Sequence, residues 1–443
     1  MFSFIRVSRA FIFFDKLKFK TLTEWLSWQE SLNPKEIDLG LDRVSQVLKK
    51  LNLSADFFCP VITVAGTNGK GSTVAFIESI LKQSDLAVGS YTSPHLFNYN
   101  ERIKINQQPV SDDVLCEAFD VIDQARGDVA LTYFEFGTLA ALVIFKKFQV
   151  NVAVLEVGLG GRLDAVNIIN ADVSVITSID IDHVDWLGDD VEVIATEKAG
   201  VMRTDKPSVV SIFKPPESLL NYAKEHKVKL IVLGKDYLYQ GVSSNRWQLK
   251  AQNLYFPDLP VPFLKGSFQL QNAAAAIMAV SQLELMQKPD SVNIASGLQK
   301  VSLAGRFQQI SESPEVIVDV AHNEQSARML SNTLSDNPVR GKTIAVIAML
   351  ADKAVDKVLE AIKSDIDHWL IGGLSTSRAM SAKNLAQAVR GAHTDVKLSV
   401  CETVTEACRT ARTLASENDR IIVFGSFYTV SEATAYFKHN IDN

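Results

Sequence analysis

The sequence predicts an α/β protein in two units, each a mainly parallel sheet covered by helices, the second unit smaller. Three observations carry this. Short Val/Ile-rich runs alternate with helix-period segments along most of the chain. The runs are continuously apolar rather than alternating, as strands buried on both faces are. The chain has 443 residues, more than one hydrophobic core usually serves.

The elements follow in order. "MFSFIRVSRAFIFFDKLKFK" mixes basic and aromatic residues. Arg6, Arg9 and Asp15 interrupt its apolar stretch and no small-residue cleavage site follows, so residues 1–20 read as a loose N-terminal extension rather than a signal peptide. "PVITVAG" is a strand leading into the helical "KGSTVAFIESILKQS"; "NVAVLEVG" and "DVSVITSI" are further strands. Residues 236–262 are aromatic and polar at alternating positions and predict an antiparallel excursion. "SFQLQNAAAAIMAVSQLELM" is a helix. Near residue 300 the rhythm restarts. "SLAGRFQQI" is a connection, and "EVIVDVAHN", "TIAVIAML", "HWLIGG" and "RIIVFGSF" are strands of a second sheet. The boundary falls at Ala304, giving units 21–303 and 304–443.

Composition narrows the partners. A net charge of -6 argues against nucleic acid held by a broad basic face. Cys59, Cys116, Cys401 and Cys408 show no CxxC spacing, and a disulfide framework is not expected in a chain this long, so a reducing cytoplasm fits. No run of 18 apolar residues is present, so no membrane span is expected.

The chemistry gathers where strands end, which is where parallel sheets bind ligands. "TVAGTNGKGST" puts Gly66, Gly69 and Gly71, with Lys70, at a strand-to-helix junction. Glycines let the backbone approach phosphates, and the helix N-terminus attracts them. Lys70 can reach the β/γ oxygens, and Ser72 or Thr73 can contact phosphate or Mg²⁺. The spacing departs from the common Walker A form, G-x-x-x-x-G-K-[ST]. A bare glycine turn is the blander alternative. "LEVGLGGRLDAVN" puts Glu156 where a metal ligand is useful, while Arg162 and Asp164 can be a mere local ion pair. "TSIDIDHVDWLG" clusters Asp182, His183 and Asp185 after a strand, as metal ligands or as a structural turn. Lys198 of "ATEKAGVM" reads as a solvated helix lysine. Asp319, His322 and Asn323 of "VDVAHNEQSA", and Ser426 of "FGSFYTV", read individually as capped helix starts.

Taken together and in this order, "AGTNGKGS", "YTSPHL", "LTYFEFGTLAAL", "LEVGLGGRLDAVN", "TSIDIDHVDWLG", "EKAG", "AGRFQ", "DVAHN", "AMLADK" and "FGSFYTV" resemble the folylpolyglutamate synthase/dihydrofolate synthase family, within the wider ATP-dependent Mur ligases. The resemblance runs from about Trp25 to about Val430. It implies an N-terminal P-loop ATPase domain and a Rossmann-like C-terminal domain, with the active site in the cleft between them. The GTNGKG loop is that family's own version of the phosphate loop.

The resemblance also implies roles. Gly66, Thr67, Asn68, Gly69, Lys70, Gly71 and Ser72 hold ATP phosphates, joined by Asn272 of "LQNAAAA", Arg306 and Asp319. Ser93, Glu156 and His183 match magnesium ligands, which shifts the metal away from Ser72 and Thr73. Lys198 matches a lysine carrying a carbamate. Thr132, Tyr133, Phe134, Glu135, Leu163, Asp164 and Ala165 match the dihydropteroate pocket. His322 and Ser426 match positions near the incoming glutamate. ATP is the co-substrate, Mg²⁺ is expected at two sites, and a monovalent cation is a lesser expectation. The implied partners are ATP, L-glutamate, dihydropteroate and tetrahydrofolates, acting on a cytoplasmic monomer with no nucleic-acid or membrane partner. Glu324 stands where proline follows the AHN turn in many relatives. The implied chemistry is ATP-driven glutamate addition through an acyl phosphate. The alternatives are a Mur-type ligase acting on a cell-wall precursor and a non-catalytic nucleotide switch.

Overall fold

A computed structural model describes residues 17–441 apart from 34, 36 and 393–395. The extension expected over 1–20 therefore lies outside the described residues for 1–16. Residues 17–20 are docked: Leu17 and Phe19 pack against the first core, and Lys18 pairs with Asp123.

Among the described residues the first sheet has eight strands. They are β1 (Val61–Ala65), β2 (Val88–Tyr91), β3 (Ile103–Ile105), β4 (Gln108–Pro109), β5 (Val152–Glu156), β6 (Val173–Ile176), β7 (Pro207–Val210) and β8 (Lys229–Val232), in the order β4-β3-β2-β5-β1-β6-β7-β8. The six from β2 to β8 in that order run parallel, and β3 and β4 turn back at one edge. Successive residues of a strand point to opposite faces, and the packing follows. Ile62, Val64, Val152, Val154, Val173 and Val175 meet the helices Lys70–Lys82, Phe268–Gln282 and Ser291–Lys300. Val61, Ala153 and Leu155 face the other way, onto the helices Leu22–Leu32, Asp42–Lys50, Asp112–Arg126 and Tyr133–Phe148. A continuous apolar run was the right sign of a two-sided strand.

The excursion at 236–262 is a three-stranded antiparallel sheet, β9 (Tyr237–Ser243), β10 (Arg246–Ala251) and β11 (Leu254–Pro260). Its inward residues Tyr237, Trp247, Leu249 and Leu259 join the core under the helix Phe268–Gln282.

Among the described residues the second sheet has six strands: β12 (Gln308–Glu312), β13 (Glu315–Val318), β14 (Thr343–Ile347), β15 (His368–Ile371), β16 (Lys397–Val400) and β17 (Arg420–Phe424). Their order is β12-β13-β17-β14-β15-β16, all parallel except the edge strand β12. Two of these strands depart from the sequence reading. "RFQQI", taken as connection, becomes the antiparallel strand β12. "KLSV" becomes β16, a partly exposed edge without a strong apolar run. All four cysteines are free and buried. No helix of the described residues is long and apolar enough to cross a membrane.

Candidate active site

Four neighbouring strands of the first sheet, β2, β5, β1 and β6, run parallel and end along one edge, each in a site segment. Beyond β1 the chain turns through Gly66 and Gly69. A Cβ on Gly66 would lie 1.9 Å from Thr177 Oγ1, and one on Gly69, at φ 86°, 2.5 Å from Asn272 Oδ1. Both positions require glycine. Gly69 starts the helix Lys70–Lys82, whose first N–H groups have no helical partner and are the anion-binding feature of the turn. Lys70 curls back over the loop, its Nζ donating to the carbonyls of Gly66 (2.9 Å) and Thr67 (3.1 Å). Burial lowers its pKa, while Glu156 opposes that shift.

Glu156 closes β5 and is buried. Its Oε2 accepts the backbone N–H of Ser93 at 3.2 Å, tying the exit of β5 to that of β2. Burial pushes its carboxyl up, and no ion pair reaches it among the described residues. His183 follows β6 in the left-handed region, at φ 53°. Its side chain is exposed, yet partial desolvation by the surrounding protein and the charge of Lys353 bring its pKa down to about 4, so at pH 7 the neutral ring keeps a lone pair for a metal. Ser93, Glu156 and His183 line one cleft. Among the described residues no group of three His, Cys, Asp or Glu side chains is placed to hold a metal. Two such side chains and a hydroxyl fit Mg²⁺, which takes few protein ligands and completes its shell with phosphate and water. A buried carboxylate without a cation partner is the observation that favours this fit.

Lys198 overturns its solvated reading. It is 4% exposed, with no hydrogen bond to its ammonium among the described residues. It borders a cavity of about 20 Å³ with Gly66, Lys70, Asp182 and His183. Burial, reinforced by Lys70, brings its pKa to about 7. The shift favours the neutral amine near pH 7, the form that reacts with CO2. The local pair of Arg162 and Asp164 is also corrected. Arg162 reaches Glu197 at 2.8 Å. Asp164 instead accepts the N–H groups of Leu159 (2.8 Å) and Val166 (2.9 Å), and burial pushes its carboxyl up to about 6.

The second sheet faces the same cleft, a space of about 750 Å³ lined from both sides. Arg306, Asp319, His322 and Ser426 are among its walls. The Arg306 guanidinium lies 5.5 Å from the centre of the Phe427 ring. Asp319 accepts N–H bonds from Phe307 and Ala321, both at 2.8 Å. His322 Nδ1 lies 2.8 Å from the Val320 carbonyl, which assigns the proton to Nδ1 and leaves Nε2 3.7 Å from Asp182. Ser426 Oγ accepts the N–H of Thr429 at 3.1 Å and caps the last helix. Asn272 is buried, its amide donating to Gln269 at 3.0 Å.

The residues matched to a pteroate pocket sit next to this cleft and do not line it. Thr132 and Glu135 close a capping box, 2.7 and 3.2 Å, and Glu135 pairs with Arg43. Tyr133 and Phe134 form an aromatic wall with Tyr99 (5.5 Å) and Tyr91 (5.8 Å). Phe134 lies against Gly158, where a Cβ would meet the ring at 2.7 Å, and Gly158 lines the cleft. Leu163 and Ala165 flank Asp164 in the neighbouring turn. Sequence reasoning missed Arg102, which donates to His95 Nδ1 at 2.9 Å in the cleft wall, and Lys353, discussed below. Lys353 lies in the quoted "AMLADK" and Arg102 outside every quoted motif, and only the fold shows which way they face.

Two family models match, the Mur ligase middle domain over residues 127–280 and the Mur ligase glutamate ligase domain over residues 305–427. The dihydrofolate synthase/folylpolyglutamate synthase of Escherichia coli (strain K12) is 41% identical over 414 residues, 93% of this chain and 94% of that protein. The chain belongs to the dihydrofolate synthase/folylpolyglutamate synthase family. Among solved structures, E. coli FolC in complex with DHPP and ADP matches with a TM-score of 0.90 at 40% identity, covering 95% of this chain and 99% of that one. A bifunctional folylpolyglutamate synthase/dihydrofolate synthase with Mn, AMPPNP and L-glutamate bound matches at 0.86 and 41%, covering 95% and 98%. The GTNGKG loop, Glu156 and His183 thus stand in a ligase framework, and the reading as a non-catalytic nucleotide switch falls away.

Proposed function

We infer that the chain is an ATP-dependent carboxylate–amine ligase that adds L-glutamate to dihydropteroate, forming dihydrofolate, and to reduced folates, forming folylpolyglutamates. One observation carries this: a glycine-bounded phosphate loop, an unpaired buried carboxylate and a neutral histidine share a cleft with Arg306 and His322 of the second sheet.

The pteroate or folate carboxylate is a poor acyl donor. Its oxygen attacks the γ-phosphorus, the bond to the bridging oxygen breaks and ADP leaves, giving an acyl phosphate. The glutamate amine then attacks the acyl carbon, loses a proton, and phosphate leaves. Ser93, Glu156 and His183 would hold Mg²⁺, which would supply charge neutralisation at the phosphates. Lys70 and the loop amides position the transferring phosphoryl group, and Arg306 adds charge from across the cleft. Asn272, which lies against Gly69, contacts ATP, and Asp319 fixes the backbone that presents Arg306 and Phe307. Lys198, carried as a carbamate, becomes an anion beside His183. The wall of Tyr133 and Phe134 and the turn at Asp164 take the pterin; His322 and Ser426 border the glutamate. Covering the cleft excludes water from an intermediate that hydrolyses easily.

The division into units 21–303 and 304–443 is supported by family models ending at 280 and starting at 305, and by the linker between the helix Ser291–Lys300 and β12. A cytoplasmic monomer is the state this reading assigns. The test is phosphate release with dihydropteroate, with tetrahydrofolate or with neither, each with glutamate. Release should require both a pteroate or folate and glutamate, with one glutamate added to product mass. Equal release without either acceptor, or products lacking glutamate, overturns the reading.

A further inference from the structure

Among the described residues the second unit meets the ATP side at a partly buried polar junction. Asn323 starts the helix Glu324–Asp336, and its Oδ1 accepts the N–H of Ser326 at 2.9 Å. The same amide pairs reciprocally with Asn68, 3.1 Å in each direction, and its Nδ2 also donates to Asp182 at 2.9 Å. Gln325 Oε1 accepts from Asn68 Nδ2 at 2.6 Å and from Ser178 at 3.2 Å. Lys353 Nζ meets Asp182 Oδ1 at 2.6 Å, with both side chains under 10% exposed.

The two residues gripped from the second unit are each one step from the chemistry. Asn68 precedes Gly69 in the phosphate loop. Its backbone is already held, the N–H by Ser178 at 2.9 Å and the carbonyl by Thr177 at 2.6 Å. Asp182 precedes His183 and accepts that residue's N–H at 2.8 Å. Surface ion pairs between units contribute little. This junction is partly buried, uses the full capacity of one amide, and lands on the two loops assigned to phosphate and metal. Moving the units apart breaks all of its cross-unit contacts together.

We propose that Asn323, Gln325 and Lys353 are positioning residues for phosphoryl transfer: through Asn68 and Asp182 they set the phosphate loop and the His183 loop in register only while the second unit is docked. This rests on the ligase reading above. It means ATP binds the first unit in either arrangement, while transfer waits for docking.

A double-mutant cycle tests it, because a shared contact makes losses non-additive. Asn68→Ala, Gln325→Leu and the double variant are compared in glutamate-dependent phosphate release, with Lys353→Met beside them. Gln325→Leu and Lys353→Met should each lower kcat about tenfold, with KM for ATP changed less than about twofold. The double variant should be no slower than the worse single. Melting temperature should stay near the wild-type value, which separates positioning from folding. Small-angle scattering with a non-hydrolysable ATP analogue should give Lys353→Met a larger radius of gyration than wild type. Multiplicative losses in the cycle, or wild-type kcat in Gln325→Leu, overturn the proposal. A wild type inactive on every acceptor defeats the ligase reading instead, and the scattering comparison then still decides whether the junction controls docking.

Discussion

The strand ends of the two sheets do different work. On the first sheet three site side chains are largely spare: Glu156 accepts one backbone N–H, Lys198 has no hydrogen bond among the described residues, and His183 is neutral and exposed. On the second sheet they are consumed by their own loops. Asp319 satisfies two backbone N–H groups, Ser426 caps a helix, and Asn323 caps another while reaching across. One side supplies charge whose compensation must come from ligands; the other supplies shape and register. Spare charge in a low-dielectric cleft costs stability and gains chemistry.

That contrast can be broken by mutation. Lys70→Ala should have the largest effect, with phosphate release falling below about a thousandth of wild type; near-normal turnover would remove the loop from the mechanism. Glu156→Gln should slow turnover about a hundredfold and weaken Mn²⁺ binding seen by electron paramagnetic resonance. Undiminished Mn²⁺ affinity would place the metal elsewhere. Lys198→Ala should cost about tenfold or more and recover in part with added short carboxylates. Activity unchanged without them would remove the carbamate.

Lys198 also gives a pH signature. Its amine titrates near 10.5 when unfolded and about 7 when folded, so between those values the unfolded chain binds more protons. Stability should therefore rise with pH across that window in CO2-free buffer, and the rise should be smaller in Lys198→Met. Parallel melting curves for the two proteins would show the lysine is not held neutral. Ser426→Ala should show the smallest effect on chemistry and the reverse balance: about 1 kcal/mol of stability lost with the missing cap, read from urea unfolding. A hundredfold fall in kcat with no stability change would put its hydroxyl on the substrate.

Legibility followed the same divide. Buried strands and the glycine loop were plain in sequence because their constraints are local: two-sided burial makes an apolar run, and a phosphate turn needs glycine. β12 and β16 were not, since "FQQIS" and "KLSV" lie at sheet edges where burial imposes no pattern. Glu156 and His183 could be named from their places at strand ends. Lys198 could not be separated from a surface lysine, because its burial comes from the packing of Gly161 and Gly200 around its turn, far apart in sequence. Lys353 and Asn323 needed the two sheets set face to face before their targets were visible.

The strand order of the second sheet has a consequence for how the molecule comes into being. Among the described residues β17 is the last strand in sequence, yet it lies in the middle, between β13 and β14. While the ribosome is still short of residue 420, those two strands have no partner to join them, although every strand end of the first sheet that builds the phosphate site has already been synthesised. A chain stopped early would emerge with its nucleotide half assembled and its other half holding an open seam of unpaired strand edges, a target for quality control and for aggregation rather than a weak enzyme.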